Sequence, residues 1–383
     1  MKNSVLILTL LCTLSSPLSL QANENSAETN TPVQTDVDQN AEAMKKALEA
    51  DAEELKAIQT LLDQKNYTEA VKRLKPLVAK ENPEAMYVLG YLYLEGQGTK
   101  KSYITSAELF KKAALKGDLR AQTAYGTALV KGQGVKRSYK EAAAMFRKAA
   151  EENVAVAQYN LGYLYAHGKG VKQNEEAAVE WFNKAANQGL ADAQYSLGTL
   201  YLNSKGAVQS DTQALHWLEK AAEQEHVKAQ NNVAYLYAEG RGTEVNGEKA
   251  LYWYTRAAEH GYAVAQYNIG VMYELGRGVA QDYDKAALWY AKACEQNEPA
   301  AQYSLGVLYD QGTGVPANHQ EAVRLYRLAA QNGDPDAIRE LRTIERAKVT
   351  PPPIQQEKKQ EKKQEKKKEK TKTQEKKPKQ SSR

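Results

Sequence analysis

Cysteine is nearly absent from this chain: only Cys12 and Cys294 occur in 383 residues. Cys12 lies inside an apolar N-terminal run that reads as an export signal, so cleavage leaves one thiol and excludes an internal disulfide. Cys294 stands where Ala150, Ala186, Ala222 and Ala258 occur at the same register, which reads as a small buried side chain; a reactive thiol needs a nearby base or cation. Histidine is also scarce. His167, His216, His226, His260 and His319 form no H-x-x-x-H or H-E-x-x-H pair, so zinc has no helical ligand pair to hold it. There is no G-x-S-x-G and no S-x-x-K, which removes the motifs on which serine acyl transfer rests. No catalytic residue, cofactor or metal is expected. The apolar run from Val5 to Leu14 is shorter than the roughly 17–25 residues that span a bilayer, so no transmembrane segment is expected.

What the chain does have is a beat. Alanine falls at Ala85, Ala121, Ala157, Ala193, Ala229, Ala265, Ala301 and Ala337, 36 residues apart without a slip. A fixed period of this size marks a solenoid. The unit from Ala265 to Cys294 shows its parts. Ala265, Ile269, Gly270 and Tyr273 recur at helical spacing and give one apolar face. Gly276 and Gly278 then end the helix, because glycine accepts backbone angles that other residues resist. This pair recurs as Gly96/Gly98, Gly132/Gly134, Gly168/Gly170, Gly240/Gly242 and Gly312/Gly314. A G-x-G that follows a helix and repeats along the array reads as a turn, not as a phosphate cradle. A second helix follows, started by Ser102, Ser138, Asn174, Ser210, Asn246, Asp282 or Asn318, all good N-cap types. Ser138 with Glu141, Ser210 with Gln213 and Asn318 with Glu321 fit or approach a capping box. Ala286, Trp289, Tyr290 and Ala293 again share a face; alanines and Gly270 admit close helix approach, and Trp289 and Tyr290 fill the space between units.

The pattern A-Q-Y-x-L-G-x-x-Y-x-x-G-x-G-V, followed by K-A-x-x-W-Y-x-K-A-A, resembles the Sel1-like repeat, a relative of the tetratricopeptide repeat. The likeness covers Ala85 to about Gly333 in seven units, set at 83–334. It implies an all-α, right-handed superhelical solenoid of antiparallel helix pairs, and a scaffold or adaptor that binds a protein or peptide without catalysis. Some cysteine-rich members have been assigned β-lactamase activity, but they carry paired cysteines that this chain lacks. If the first helices line the concave face, as the resemblance implies, the partner-binding positions are Tyr87, Tyr91, Tyr159, Tyr163, Tyr195, Asn231, Tyr235, Tyr267 and Tyr303. Tyrosine suits such a surface, with large contact area, few rotors and a polar tip, and the chain holds 24 Tyr against 3 Phe. The tyrosines that follow Ala-Gln serve equally well to pack adjacent helices. Two units depart from the pattern: Thr123 and Thr127 replace tyrosines in unit two, and Thr199 with Ser204-Lys205-Gly206 alters unit four. Both keep the core positions, so a changed surface is expected with no break in the stack.

The flanks differ. Residues 1–22 read as a signal peptide, with Lys2 before the apolar run and a cut after Ala22, which places the mature chain in a periplasm or outside the cell. Residues 23–40 are polar and expected to be disordered. Residues 41–82 suggest a capping helix pair, the first helix carrying Leu48, Leu55, Ile58 and Leu62 and the second running from Tyr67 to Ala79. Residues 335–349 suggest a closing helix, since Ala337, Leu341 and Ile344 keep the register while the glycine pair is missing. Residues 350–383 form a Lys/Glu/Gln-rich tail expected to be solvated. From Pro351 the tail carries 12 Lys and 1 Arg against 5 Glu, a charge of +8 that leaves −3 for the rest of a chain at +5. Such a polycation can approach an anionic envelope surface by charge alone. Nucleic acid is not expected, because the tail has no aromatic ring for base stacking. The expected role is an exported scaffold in envelope processes or host interaction. The alternatives are an envelope enzyme, β-lactamase-like or cell-wall hydrolysing, and a structural tether that grips an anionic surface through the tail.

Overall fold

The computed structural model describes residues 32–204, 209–349 and the single position 364. The expected signal peptide, the half of the linker before residue 32, four residues of the unit-four loop and the basic tail apart from position 364 lie outside the described residues. Among the described residues there are 17 helices and no strand. After α1 (Pro32–Asp63) and α2 (Tyr67–Ala79) come seven pairs: α3/α4 (Pro83–Glu95, Tyr103–Leu115), α5/α6 (Leu119–Lys131, Tyr139–Glu151), α7/α8 (Ala155–His167, Glu175–Asn187), α9/α10 (Ala191–Asn203, Asp211–Glu223), α11/α12 (Val227–Glu239, Gly247–Glu259), α13/α14 (Ala263–Leu275, Tyr283–Cys294) and α15/α16 (Pro299–Gln311, His319–Gln331). α17 (Pro335–Val349) closes the series. Each helix packs against the one before and the one after it, so the chain is an all-α solenoid whose core is continuous only through its neighbours.

Local chemistry starts and stops these helices as the residue types require. All seven second helices begin on the expected N-cap, whose side chain accepts the backbone N–H three residues on, as Ser102 does from Thr105 and Asn174 from Ala177. Six first helices end on a glycine in the left-handed region, for example Gly168 at φ 61°. In unit four, Ser204 takes that place in an extended conformation, φ −66° and ψ 160°, and α10 still packs on α9. The second glycine of each pair has a further reason to be glycine. A Cβ on Gly170 would stand 2.3 Å from the carbonyl carbon of Tyr139, at the start of the preceding unit's second helix. The loop of one unit therefore rests on the backbone of the last.

The periodic alanines are the floor of the core: all eight from Ala85 to Ala337 are fully buried. The three phenylalanines, Phe110, Phe146 and Phe182, share one register in α4, α6 and α8, and Tyr254, Tyr290 and Tyr326 occupy it later. Each phenylalanine ring fills the space left by a helical glycine; a Cβ on Gly162 would come within 2.8 Å of Phe182. The four tryptophans, Trp181, Trp217, Trp253 and Trp289, are also 36 residues apart. Lysines lie over three of them, 4.2 Å from the Trp181 centroid for Lys184 and 4.0 Å from Trp289 for Lys292.

Two expectations about the N-terminal flank need correction. The helix begins at Pro32, so residues 32–40 belong to it and not to a disordered linker. Proline suits a first helical position, and extending an existing helix adds a hydrogen bond per residue without a new nucleation cost. Leu48 is 62% exposed and not part of the capping core, which begins at Leu55 and Ile58. The reason is length. The 32 residues of α1 reach about 48 Å at 1.5 Å per residue, whereas the 13 residues of α2 cover about 20 Å, so the first half of α1 runs past its partner.

Candidate functional site

The tyrosines of the first helices fall into two rows. The row after Ala-Gln leans on its own unit. Tyr87 lies 5.9 Å from the Phe110 ring, Tyr159 5.7 Å from Phe182, Tyr267 5.6 Å from Tyr290 and Tyr303 5.6 Å from Tyr326, between centroids. All four are half-buried, and burial raises the pKa of each hydroxyl, that of Tyr87 to about 12. Tyr195 instead stacks on His226 of the next unit at 4.3 Å. That histidine accepts from the Ala229 N–H through Nδ1, capping α11, and turns Nε2 toward Asp192 at 3.6 Å. Asn231 takes this register in unit five, and its Oδ1 accepts from Asn268 Nδ2 at 3.2 Å. This row serves packing as well as surface.

In the second row, four residues on, Tyr235 stands clear of the core while Tyr91 and Tyr163 pack against its edge. The Tyr163 ring lies 4.1 Å from that of His167, tilted by 31°, and its hydroxyl accepts from Lys169 Nζ at 3.1 Å. Tyr235 is 41% exposed, and Arg241, held by Asp211 at 2.7 and 3.0 Å, lies near enough to it for the phenol to help raise the arginine's pKa. Lys169 and Arg241 occupy the same loop position, between the two glycines. A loop cation thus fixes the hydroxyl of Tyr163 and lies beside Tyr235. Tyr91, the third of the row, is half-buried, and burial raises its pKa. The same register holds Thr127, Thr199, Val271 and Val307 in the other units, so the nine candidate residues do not form one uniform stripe.

A polar ladder that sequence reading passed over runs behind these rows. In five of the six A-Q motifs the glutamine donates Nε2 to the carbonyl of the residue eight before it, at the end of the preceding second helix: Gln122 to Ala114, Gln158 to Ala150, Gln194 to Ala186, Gln230 to Ala222 and Gln266 to Ala258. Those carbonyls belong to a helix end, where the regular donor four residues on is missing; each accepts a turn N–H from three residues on, as Ala150 does from Asn153, and the glutamine as a second donor. The glutamine Oε1 then accepts from a side chain thirty residues on, Gln188 to Gln158 at 2.8 Å, Gln224 to Gln194 at 2.7 Å, Gln296 to Gln266 at 2.9 Å and Asn332 to Gln302 at 3.0 Å. In units two and five that partner is Glu152 or His260, and Gln122 Oε1 and Gln230 Oε1 are buried without a partner. The signal was present in the repeated Ala-Gln, but only the fold shows which carbonyl the glutamine meets.

Among the described residues no group of three or more His, Cys, Asp or Glu converges as a metal site would require, and no helix is long and apolar enough to cross a membrane. Cys294 is half-buried, and burial pushes its thiol up to about 12, away from the range of a reactive thiolate.

Comparison with known proteins agrees with this geometry. The Sel1 repeat family profile matches seven consecutive segments, 83–118, 119–154, 155–190, 191–226, 227–262, 263–298 and 299–334. Among solved structures, a protective antigen of uropathogenic Escherichia coli with an SLR fold is 33% identical with a TM-score of 0.65; the match covers 70% of this chain and 57% of that one. The chain therefore spans little more than half the length of that relative. A Sel1 repeat protein from Oxalobacter formigenes is 31% identical with a TM-score of 0.56, over 63% of this chain and 96% of that one. No curated protein matches.

Proposed function

The chain belongs to the Sel1 repeat family, and from that premise we propose that it is an exported scaffold that captures a protein or peptide partner on the face formed by its first helices. Repeats of this family are mostly non-catalytic scaffolds that mediate protein–protein contact. The observation that carries the reading is the pair Tyr163 and Tyr235. Both stand on first helices and neither is fully buried; the Tyr163 hydroxyl accepts from Lys169, and Tyr235, 41% exposed, lies beside Arg241 at the same loop position. A ring held this way loses little freedom on binding, which is how tyrosine becomes an anchor at an interface. Substituting both by alanine should weaken partner capture at least tenfold, since two anchors at about 1–2 kcal/mol each amount to one to three powers of ten. Far-ultraviolet circular dichroism should stay the same. Unchanged affinity would remove this face from consideration.

Export rests on residues 1–22 and finds support in the antigen relationship of the E. coli structure. Mass spectrometry of the protein recovered from a bacterial envelope fraction should find a chain that starts at Asn23; a chain that retains Met1 refutes export. The Lys-rich tail adds a tethering role on an anionic envelope surface. Deleting residues 355–383 should then move the protein from a salt-sensitive envelope fraction to the soluble one.

A further inference from the structure

Between α3, α4 and α5 lies a cavity of about 340 Å³. The repeat itself explains why it exists. In the register of Tyr87 and Tyr159, unit two has Thr123, and in the register of Tyr91 and Tyr163 it has Thr127. Two phenol rings are missing from one wall. The threonine hydroxyls donate to their own helix, to the Leu119 and Thr123 carbonyls, so they leave no free polar group on that side. Val88 and Ala124 line the same space where later units carry Asn160, Ser196, Asn232, Asn268 and Ser304.

Tyr87, Tyr91, Arg120 and Lys131 also border this mostly apolar space, and two polar atoms on its lining are buried without a partner. Ser106 is 1% exposed with an unpaired Oγ, and it stands where all six later units have alanine, from Ala142 to Ala322. Gln97 Oε1 is buried and unpaired, at the loop position that carries Lys169 and Arg241 beside the tyrosines of units three and five. A buried acceptor without a donor costs free energy that a ligand donor recovers. The segments outside the described residues contain no aromatic residue, so this chain cannot fill the space with a ring of its own.

We infer that the cavity is a binding pocket for a tyrosine side chain from an extended segment of the partner, its ring replacing the two missing at Thr123 and Thr127 and its hydroxyl donating to Gln97 or Ser106. This rests on the partner-binding face described above, whose first-helix row continues from the pocket to Tyr159 and Tyr163. The volume is within the ordinary range for ligand sites and accepts a ring with part of a neighbouring side chain.

The test uses the full chain and p-cresol, the side-chain analogue of tyrosine, with toluene as the same ring without the donor. Calorimetric titration should show saturable p-cresol binding, with toluene weaker by about fivefold, the worth of one neutral hydrogen bond. The variant Thr123→Tyr/Thr127→Tyr, which restores the residues of unit three, should lose p-cresol at least tenfold with helical signal and melting temperature retained. Ser106→Ala, the residue of the other units, should narrow the gap between p-cresol and toluene. The tripeptide Ac-Ala-Tyr-Ala-NH2 should compete for the site. Absence of p-cresol binding overturns the pocket, as does equal binding to the filled variant. Should that variant lose its helical signal, an unchanged p-cresol to toluene ratio in Ser106→Ala overturns it instead. Binding of p-cresol without competition by the peptide overturns the assignment to a partner side chain. Partner capture that depends on Tyr163 and Tyr235 but survives filling of the cavity leaves the face standing and removes the pocket alone.

Discussion

The contact between the loop of one unit and the backbone of the unit before it can be separated from glycine's conformational freedom by two substitutions in the same pair of helices. Gly189 and Gly170 both have positive φ, 86° and 72°. A Cβ on Gly189 meets nothing within 4 Å. Gly189→Ala therefore costs only the left-handed conformation, about 1–2 kcal/mol, less about 0.4–1 kcal/mol because alanine lowers the entropy of the unfolded chain. A net loss near 1 kcal/mol is expected. Gly170→Ala bears the same cost and meets backbone as well, with the Tyr139 carbonyl carbon at 2.3 Å, its oxygen at 2.4 Å and Lys140 N at 2.6 Å. Non-bonded heavy atoms are at ease near 3.5–4.0 Å, so the loop must lift by about 1 Å from the start of α6. Backbone cannot move aside as a side chain does, and the expected loss is about 3–5 kcal/mol, the range of severe overpacking. Urea unfolding followed by circular dichroism measures both. Because the interface that fails lies between two units, Gly170→Ala should also split one transition into two, as weakened coupling does in repeat arrays. Losses for the two variants within about 0.5 kcal/mol of each other would refute the claim that this glycine is held by contact.

Gln194→Ala removes a donor from the Ala186 carbonyl and an acceptor from Gln224; a loss of about 1–3 kcal/mol is expected, against about 1 kcal/mol less for Gln230→Ala, whose Oε1 has no partner to lose. Chemical denaturation of the two variants compares them directly. Glu225 sits at φ 63° in a register that holds glycine in Gly189 and Gly261, so Glu225→Gly should raise stability by about 0.5–1 kcal/mol, the left-handed penalty less the glycine entropy. Cys294 should react with iodoacetamide at pH 8 at least tenfold more slowly in the native chain than in urea, since burial pushes its thiol up to about 12. Its folded pKa lies above the ordinary thiol value of 9.0, so its contribution is fully present below pH 9 and is lost as pH rises toward 12. Cys294→Ala should accordingly show a shallower alkaline loss of stability than the parent chain.

The architecture was legible because a period of 36 residues repeats the same cues. Each cap residue is local: Ser102 or Asn174 needs only its own first turn, and Gly168 only its own φ. The core alanines are equally plain, since a small residue at fixed phase over eight copies has one use in a solenoid. What the sequence hid is what lies between units. Nothing in Gly170 itself reveals that Tyr139 is its neighbour, nor in Gln158 that Ala150 and Gln188 are its partners. The tyrosine candidates were readable as a set, yet which of them pack and which stand clear depends on the ring each one meets. Leu48 failed for a related reason, since helical spacing shows an apolar face but not how far the partner helix extends.

The glutamine ladder has a mechanical meaning. Where the second bond of the glutamine is present, at Gln158, Gln194, Gln266 and Gln302, the two helices of one unit are braced by side chains as well as by apolar packing. At Glu152 and at His260 the brace is absent. Those two units are where the spring has its softest coils, so a curved binding wall would open or tighten there first, by a change within units two and five and not as one stiff arc.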